Sequence, residues 1–279
     1  MTSKLSFQGK TAIVTGGGRG LGRAVCLALA KTGVRVGVIA RTSAEILDVT
    51  YEIQKLGGQA FPIQCDMAEA DAIEKACLLV AEQLGSVDIL VNNAAIIAPL
   101  GRTVEIDPVA WERTIKINLN GAFRCIHVVL PNMIKQGWGR IVNISSVAAT
   151  GTGTPSGNAY ATSKAALEMM TLNLAAELEG TGVKMNAFRP GTIDTAMQAE
   201  ARSAPVEVVG EAMHNLFQGF YNKGMLRDPK IPAAVVIDII RSDLNGQIVD
   251  INEYLNRGIS LEFFSNNSNQ YNSVCSVRR

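Results

Sequence analysis

A tyrosine and a lysine stand four residues apart in the segment NAYATSKAALEMM, residues 158–170. The surrounding residues favour a helix, on which positions four apart lie on the same face. An ammonium group at Lys164 would favour the phenolate form of Tyr160 and lower its pKa, which suits the tyrosine to proton transfer. The pair could equally be a surface pair whose lysine extends along the helix to solvent. Other motifs are needed to distinguish the two interpretations.

The composition excludes several classes of partner. The 279 residues are 47% hydrophobic and 18% charged, which is typical of a globular protein with a sizeable core. The 26 Lys and Arg residues and 25 Asp and Glu residues leave a net charge of +1, so we expect no nucleic acid and no membrane as partners. No apolar run approaches the ~18 residues of a membrane span. The start, MTSKLSFQGK, does not resemble a signal peptide.

The cysteine and histidine content indicates the compartment and argues against a metal site. The two histidines, His127 and His214, have no Cys or His neighbours at ligand spacing, so we expect no metal. Five cysteines is an odd number, and none of them forms a CxxC pair. In apolar segments a free cysteine behaves as a small hydrophobic residue, which indicates a reducing cytoplasm. The cysteines are Cys26, Cys65, Cys77, Cys125 and Cys275.

Strand-like runs alternate with helical patterns almost to the end of the chain. The strand-like runs cover residues 11–15, 34–40, 61–65, 87–92, 140–145, 183–189 and 247–251. The helical patterns cover residues 20–32, 43–56, 67–84, 108–135, 158–179 and 231–241. Most strands are nearly continuous in apolar residues, as in a parallel sheet that is covered on both faces. The chain is therefore predicted to be α/β, with a doubly wound, Rossmann-type, mostly parallel seven-stranded sheet and helices on both faces.

The chain reads as one domain, residues 1–258, because it has no Pro-, Gly- or Ser-rich linker and no repeat. Residues 196–230 interrupt the alternation, and we interpret them as a substrate lid. Residues 259–279 form a polar, Asn- and Ser-rich tail. Apolar residues recur at helical spacing in the lid, at Val206, Val209, Met213, Phe217 and Phe220.

A glycine-rich turn, TGGGRGLG at residues 15–22, follows the first strand and opens the first helix. Glycines there let the backbone approach a phosphate, and the helix N-terminus supplies free N–H groups. The dinucleotide pattern GxGxxG fits in no register. The phosphate-loop pattern of nucleotide triphosphatases fails because Arg23 and Ala24 replace its Lys and Ser/Thr. The pattern that fits is TGxxxGxG. A merely flexible turn is less consistent with this position.

From about residue 7 to residue 252 the sequence resembles the short-chain dehydrogenase/reductase family. TGGGRGLG looks like the family's cofactor loop, CDM at residues 65–67 like its adenine-contacting segment, and NNAA at residues 92–95 like its NNAG. PGTIDT at residues 190–195 matches the segment that closes over the nicotinamide. The family's active-site residues match Asn118 in KINLNG, Ser146 in NISSV, Tyr160 and Lys164.

The resemblance implies a division of labour among the four active-site residues. Tyr160 would give a proton to a substrate carbonyl oxygen as hydride reaches its carbon, and would take it back in the reverse direction. Ser146 would hydrogen-bond the same oxygen. Lys164 would lower the pKa of Tyr160 and hold the nicotinamide ribose, and Asn118 would support a water that links Lys164 to solvent.

The choice of cofactor depends on VIARTS, residues 38–43. An acidic residue near this position favours NAD, but the first carboxylate after the strand is Glu45. Arg41 and Arg19 offer guanidinium groups, and Thr42 a hydroxyl, for a 2′-phosphate. These features predict NADPH/NADP+. The full set of candidate cofactor contacts is Gly16, Gly18, Arg19, Gly20, Leu21, Arg41, Thr42, Asp66, Met67, Asn93, Ala94, Tyr160, Lys164, Pro190, Gly191, Ile193 and Thr195.

Several assignments have alternatives. Asp66 could be the N-cap of the next helix, in a capping box with Glu69. Asn92 and Asn93 could be strand-end turn residues that bond their own backbone. Ser145 is the alternative to Ser146. Asparagine is a poor helix former in the middle of a long helical pattern, so we expect a break or kink at Asn118.

Two departures from the family pattern are also present. Ala95 stands where the family usually has glycine, and NGQIVDINEYL lacks the family's usual VDGG ending. These departures concern the local backbone and the C-terminal contacts rather than the chemistry.

These observations predict an oxidoreductase that transfers a hydride between NADP(H) and a carbonyl or secondary alcohol, in the reductive direction. Alternatives are an NAD-dependent alcohol dehydrogenase, a dehydratase or epimerase on the same fold, and a non-catalytic dinucleotide-binding protein. The helix with Tyr160 is apolar on more than one face, which suggests a homodimer or homotetramer. Residues that hint at an apolar small-molecule substrate, or at a lid packed on its own domain, are Met197, Met213, Phe217, Phe220 and Tyr221.

Overall fold

The computed structural model describes residues 7–151 and 153–256. Seven strands form one sheet in which every pairing is parallel, in the order β3-β2-β1-β4-β5-β6-β7. The chain winds outward from β1 in one direction, returns at β4 and winds outward in the other. The strands are β1 Thr11–Thr15, β2 Arg35–Ala40, β3 Ala60–Gln64, β4 Val87–Asn92, β5 Gly139–Ile144, β6 Val183–Arg189 and β7 Ile248–Asp250.

Helices connect the strands and cover both faces of the sheet. A π-helical turn, Lys116–Asn120, joins α4 to α5, and a 3₁₀ turn, Val147–Ala149, follows β5. The helices are α1 Gly20–Ala30, α2 Ser43–Lys55, α3 Ala70–Leu84, α4 Pro108–Ile115, α5 Gly121–Lys135, α6 Asn158–Glu177, α7 Ala196–Ser203, α8 Val206–Val209, α9 Glu211–Asn222, α10 Lys230–Arg241 and α11 Ile251–Asn256.

Two apolar clusters, one on each face, hold the helices to the sheet. In β1, Ala12 and Val14 join the cluster that contains α1, α2 and α10, whereas Ile13 joins the cluster on the other face. The side chains alternate because successive residues of a strand point to opposite faces. Apolar side chains point to both faces because helices cover both faces of the sheet. All residues of β1, β4 and β5 are buried.

The prediction of a doubly wound α/β fold is confirmed. The π-helical turn interrupts the helical pattern over 108–135 at the break predicted for Asn118. Two predictions about the helices need correction. The helix predicted from residue 67 begins at Ala70. The apolar pattern in the predicted lid belongs to two helices, α8 and α9, because Gly210 between them has a φ of 79°. The predicted tail at 259–279 lies outside the described residues.

The described part of the chain contains no helix that is both long and apolar enough to cross a bilayer. It also contains no cluster of three or more potential metal ligands. Cys26, Cys65, Cys77 and Cys125 are buried free thiols, and Cys275 lies outside the described residues. In a doubly wound sheet, ligands bind at the carboxyl ends of the strands, at the point where the winding direction changes. In this protein that point lies between β1 and β4.

Candidate active site

A cavity of about 550 Å³ lies at the carboxyl ends of β1, β2, β4, β5 and β6. All seventeen predicted cofactor contacts line this cavity, as does Ser146. Asn118 does not line it. These residues span 180 positions of the sequence, from Gly16 to Thr195, and the fold brings them together at one edge of the sheet.

The glycine-rich turn has a backbone that other residues would not tolerate. Gly16 and Gly20 have φ angles of 64° and 53°, in a region that favours glycine. A Cβ atom on Gly22 would lie 2.1 Å from the carbonyl oxygen of Gly16. Helix α1 begins at Gly20, and the Arg19 side chain does not cap its first N–H groups; Gly20 and Leu21 line the cavity. These features fit the diphosphate of a dinucleotide.

Asn93 ties the glycine-rich turn to the end of β4. Its side-chain Nδ2 donates to the carbonyl oxygens of Thr15 at 2.9 Å and Gly16 at 3.2 Å. The backbone N–H groups of Asn93 and Ala94 donate to Thr15 Oγ1 at 3.0 and 3.1 Å. Asn92 Nδ2 donates to Asn143 Oδ1 at 2.8 Å. The interpretation of these asparagines as local turn residues is wrong, because their side-chain partners lie on β1, in the glycine-rich turn and on β5.

Asp66 lines the cavity beside Met67 but does not cap the next helix. Its Oδ1 accepts a hydrogen bond from Ala68 N at 2.9 Å, and its Oδ2 accepts one from Arg113 Nη2 at 2.7 Å. Burial raises the pKa of Asp66, but the Ala68 N–H and Arg113 outweigh burial and lower it below its usual value. Helix α3 starts after Glu69, whose side chain caps nothing, so the capping-box interpretation is wrong.

Asn118 lies in the π-helical turn, and the predicted break at this residue is confirmed. Its Oδ1 accepts from Ile96 N at 2.9 Å, while Nδ2 donates to Ile96 O at 2.9 Å and to Ser163 Oγ at 3.0 Å. The side chain therefore fixes the loop after β4 against helix α6. The extra residue of a π turn rotates the following helix, a feature that occurs often at functional sites. The water that Asn118 would support stays a prediction.

The two candidate serines point in different directions. Ser145 is buried, and its Oγ donates to Glu168 Oε1 at 2.6 Å, away from the cavity. Ser146 lines the cavity, its Oγ accepts from Ala148 N at 3.2 Å, and its hydroxyl is near enough to Tyr160 to act on the pKa of that phenol. The hydroxyl of Ser146 is thus the one within reach of a ligand beside Tyr160.

Lys164 is buried, with 2% of its surface exposed, so the interpretation of Tyr160 and Lys164 as a surface pair is wrong. Lys164 Nζ donates to Ile144 O at 2.7 Å and lies 5.7 Å from the centre of the Tyr160 ring. Burial lowers the pKa of Lys164 to about 8, against the opposing effect of the Glu168 carboxylate. Burial also raises the pKa of Tyr160, and the neighbouring Ser146 hydroxyl only partly offsets this rise. The net shift of the Tyr160 pKa is therefore upward, and the predicted lowering by Lys164 stays a prediction.

Glu168 is a buried polar residue of α6 that the sequence analysis did not single out. It follows Lys164 by four residues, is 6% exposed, and accepts hydrogen bonds from Arg189 Nε at 2.7 Å and Arg189 Nη2 at 2.6 Å. Arg189 ends β6, and Ser145, the second partner of Glu168, follows β5. Helix α6 is thus fixed to the ends of two strands, one of which leads into the predicted nicotinamide segment. A glutamate within the apolar run AALEMM was the available signal.

We expect Glu168→Ala to lower the free energy of unfolding by about 3 kcal/mol, because it leaves the Arg189 guanidinium and the Ser145 hydroxyl without their partner. Urea unfolding of the two proteins measures this difference. Glu177→Ala, an exposed position on the same helix, is the control and should change it by less than about 0.5 kcal/mol. Replacing both Glu168 and Arg189 with methionine should restore most of the loss. Equal effects of the two alanine variants would show that the buried pair does not stabilise the fold.

Glu45 lies at the rim of the cavity near β2, although the sequence analysis took it to be too far from the end of β2 to matter for the cofactor. Arg41 follows β2 and is exposed, beside Thr42. A Cβ atom on Gly18 would lie 2.8 Å from the Cβ of Glu45, and Glu45 Oε1 lies 3.7 Å from Arg19 Nη1. Glu45 is four residues beyond Arg41 in sequence, but the first turn of α2 brings it against the glycine-rich turn.

The segment after β6 crosses the glycine-rich turn. A Cβ atom on Gly20 would lie 3.1 Å from Thr195 Cγ2. Thr195 is also the N-cap of α7, where its Oγ1 accepts from Gln198 N at 3.3 Å. Gly191 has a φ of 71°, which suits glycine. The segment therefore lies against the glycine-rich turn, and its contact with the nicotinamide stays a prediction.

Comparison with known proteins identifies the family. The family model described as short chain dehydrogenase matches residues 10–205 of the chain. The chain belongs to the short chain dehydrogenase family. It is accordingly an oxidoreductase that acts on CH–OH groups with a nicotinamide dinucleotide, which the glycine-rich turn and the free helix N-terminus fit.

Individual relatives cover nearly the whole dehydrogenase. A short chain dehydrogenase of Pseudocercospora fijiensis is 38% identical over 257 residues, or 88% of this chain and 80% of the relative. The 3-oxoacyl-[acyl-carrier-protein] reductase FabG of Aquifex aeolicus is 34% identical over 253 residues, which are 89% of this chain and 98% of the relative. A crystal structure of a putative NAD(P)-dependent gluconate 5-dehydrogenase from Beutenbergia cavernae, with bound NADP, has a TM-score of 0.77 at 30% identity and covers 89% of this chain and 97% of its own.

The helices between residues 196 and 222 also line the dehydrogenase's cavity. Met197 of α7 and Met213, Phe217 and Phe220 of α9 line the cavity. Tyr221 does not line it: this residue is 55% exposed, with Arg202 Cζ 4.2 Å from the centre of its ring. Four of the five predicted substrate-side residues thus reach the cavity.

Proposed function

We propose that this dehydrogenase is an NADP(H)-dependent carbonyl reductase that works in the reductive direction. The observation that carries the proposal is the position of Ser146, Tyr160 and Lys164 in the same cavity as the glycine-rich turn. When bound, the nicotinamide supplies a hydride to the carbonyl carbon. The residues of the chain orient the carbonyl group and move the proton.

Two hydroxyl groups polarise the carbonyl oxygen in this proposal. Ser146 and Tyr160 line the same cavity, and the Ser146 hydroxyl is near enough to act on the pKa of Tyr160, so an oxygen placed between them meets two donors. Burial keeps the Tyr160 hydroxyl protonated, and it gives its proton to the oxygen as negative charge develops there. Lys164, held by the carbonyl of Ile144, offers its remaining donors to the nicotinamide ribose, and its charge stabilises the phenolate that forms.

The preference for NADPH is supported by the charges at the rim. Arg41 is exposed at the end of β2, next to Thr42, where a 2′-phosphate of the adenosine ribose would lie in this fold. A guanidinium group binds a phosphate through two parallel hydrogen bonds. Arg19 offers a second guanidinium once it leaves its 3.7 Å contact with Glu45.

Glu45 supports a second candidate, an NAD-dependent alcohol dehydrogenase. Its carboxylate lines the cavity beside Gly18, and an acid at this rim can accept hydrogen bonds from the ribose hydroxyls of NAD. Arg41 and Arg19 outnumber this single carboxylate, which is why NADPH is favoured. A non-catalytic dinucleotide-binding protein is not favoured, because it would not need the proton-donating residues.

A panel of aldehydes and ketones, assayed with NADPH and with NADH, tests the proposed function. We expect oxidation of NADPH that depends on the carbonyl compound, with kcat/KM at least about ten times that with NADH. Equal or better use of NADH would support the second candidate. Binding of NADPH with no turnover of any aldehyde or ketone would support the non-catalytic alternative.

We propose further that residues 196–230 act as a lid. Helices α7, α8 and α9 are 8, 4 and 12 residues long, and α8 and α9 pack mainly within this segment. Their amides should therefore exchange with solvent faster than those of β1 and β4, and NADPH with substrate should slow the exchange by about tenfold. Hydrogen–deuterium exchange with mass spectrometry measures this. Unchanged exchange on ligand binding would indicate a fixed wall of the cavity.

Assembly and location complete the proposal. Phe123 on α5 and Met169 on α6 are 47% and 57% exposed, and burying them against a second copy would support a homodimer or homotetramer. Light scattering in solution tests the oligomeric state, and a monomer at all concentrations would exclude the proposed oligomer.

The four buried free thiols support a cytoplasmic location.

A further inference from the structure

The charges around the cavity are divided unequally between its two halves. Of the described residues that line it, those with charged side chains all lie on the cofactor side or at the catalytic helix. The other half is formed by the loop after β4, the loop after β5, and helices α7 and α9. These described residues contribute no Asp, Glu, Lys, Arg or His to the lining. The charged residues are Arg19, Arg41, Glu45, Asp66 and Lys164.

Apolar side chains dominate this uncharged half, which we call the substrate half. They come from four separate elements, so the apolar character is not the buried stripe of one helix. A ligand placed against Ser146 and Tyr160 would extend between them. The principal apolar residues are Leu100, Val147, Met197, Met213, Phe217 and Phe220.

The polar groups of the substrate half are few and uncharged. Thr150 Oγ1 already donates to Val147 O at 2.7 Å. Gln198 Oε1 accepts from Arg202 Nη1 at 2.7 Å, which directs the amide Nε2 the other way, where it is buried and has no partner among the described residues. The Arg202 guanidinium itself lies on the Tyr221 ring. Gln198 thus offers a ligand one neutral donor, which cannot balance a buried carboxylate.

We propose that the substrate is an uncharged, predominantly apolar ketone or aldehyde whose substituents lie between α9 and the loop after β5. This inference rests on the proposed carbonyl reduction. An anionic substrate, such as a keto acid or a sugar acid, would lose its hydration without gaining a cation. An apolar substituent gains from the same environment, because it is removed from water.

A matched pair of ketones tests the substrate class. Methyl 4-acetylbenzoate and 4-acetylbenzoate share the ring and the reacting carbonyl, but only the second carries a carboxylate. We expect kcat/KM for the ester to exceed that for the acid by about 100-fold or more. Ligand-detected NMR on the protein saturated with NADP+ measures the binding of the same two compounds without turnover, and should give the same order.

A charge introduced into the substrate half should reverse the discrimination. Phe217 is partly exposed on α9, so Phe217→Lys can be accommodated in the fold. It should shrink the ester-to-acid ratio at least about tenfold, both in kcat/KM and in binding. Leu78→Lys, which adds the same charge at a 55% exposed position on α3, is the control and should leave the ratio unchanged.

The outcomes separate this inference from the proposed function. Reduction of the acid as efficiently as the ester would overturn the substrate class and leave carbonyl reduction intact. If neither compound is reduced, the binding measurement decides: equal binding of acid and ester overturns the inference. Preferential binding of the ester without reduction of any carbonyl compound would support the substrate class while contradicting the proposed function.

Discussion

Tyr160→Phe should lower kcat for carbonyl reduction by at least about 100-fold, while the Kd for NADPH stays within about twofold. The substitution removes only the hydroxyl that donates the proton and keeps the ring. Ser146 remains and still polarises the carbonyl oxygen, so some turnover should persist. The dinucleotide phosphates are expected at the glycine-rich turn rather than at the Tyr160 hydroxyl, so their binding should be unaffected.

Tyr221→Phe is the matched control for this variant. Tyr221 is exposed and does not line the cavity, so loss of its hydroxyl should leave kcat unchanged within about twofold. Steady-state rates and a direct titration with NADPH measure the two effects separately. A Tyr160→Phe enzyme that turns over at a near-normal rate would remove the tyrosine from the chemistry.

Arg41→Asp should lower the ratio of kcat/KM for NADPH to kcat/KM for NADH by about 100-fold or more. The substitution removes charge-assisted hydrogen bonds to the 2′-phosphate and adds a carboxylate that repels it. The same carboxylate can accept hydrogen bonds from the ribose hydroxyls of NADH. Lys75→Asp, which makes the same change of charge at an exposed position on α3, is the control for net charge and should leave the ratio unchanged.

Glu45→Gln should move the same ratio in the opposite direction, by a few-fold. It removes the carboxylate 3.7 Å from Arg19, so this guanidinium becomes free for the phosphate. An effect in the same direction as Arg41→Asp would mean that Glu45 helps to bind NADPH. No change in either variant would place the 2′-phosphate elsewhere.

The fold was predictable because a parallel sheet covered on both faces leaves a strong signal. The strands are nearly continuous apolar runs, and their observed bounds differ from the predicted ones by only one residue at an end. The start of α3 was less predictable. Asp66, Glu69 and the residues between them resemble a capping box, but Asp66 is held instead by Arg113, from a helix more than forty residues further on. Local patterns carry no information about such a partner.

The candidate site was predictable where a motif fixes both residue type and spacing, and not where contacts are long-range. Tyr160, Lys164 and Ser146 belong to such motifs. Glu168 and Arg189 do not, because they lie 21 residues apart on two different elements, α6 and β6. The Tyr160 pKa depends on burial more than on the charge four residues away. Glu45 was discounted because distance along the chain was used in place of distance in space.

Transfer of the hydride itself is the most direct test of the account. The wild-type enzyme is incubated with an apolar ketone and NADPH that carries deuterium at the hydride-donating position of the nicotinamide, and the product is analysed by mass spectrometry. The account predicts an alcohol with deuterium on the former carbonyl carbon, in a reaction that Tyr160→Phe slows by at least about 100-fold. Bound NADPH with no labelled alcohol, across the panel of aldehydes and ketones, would contradict it.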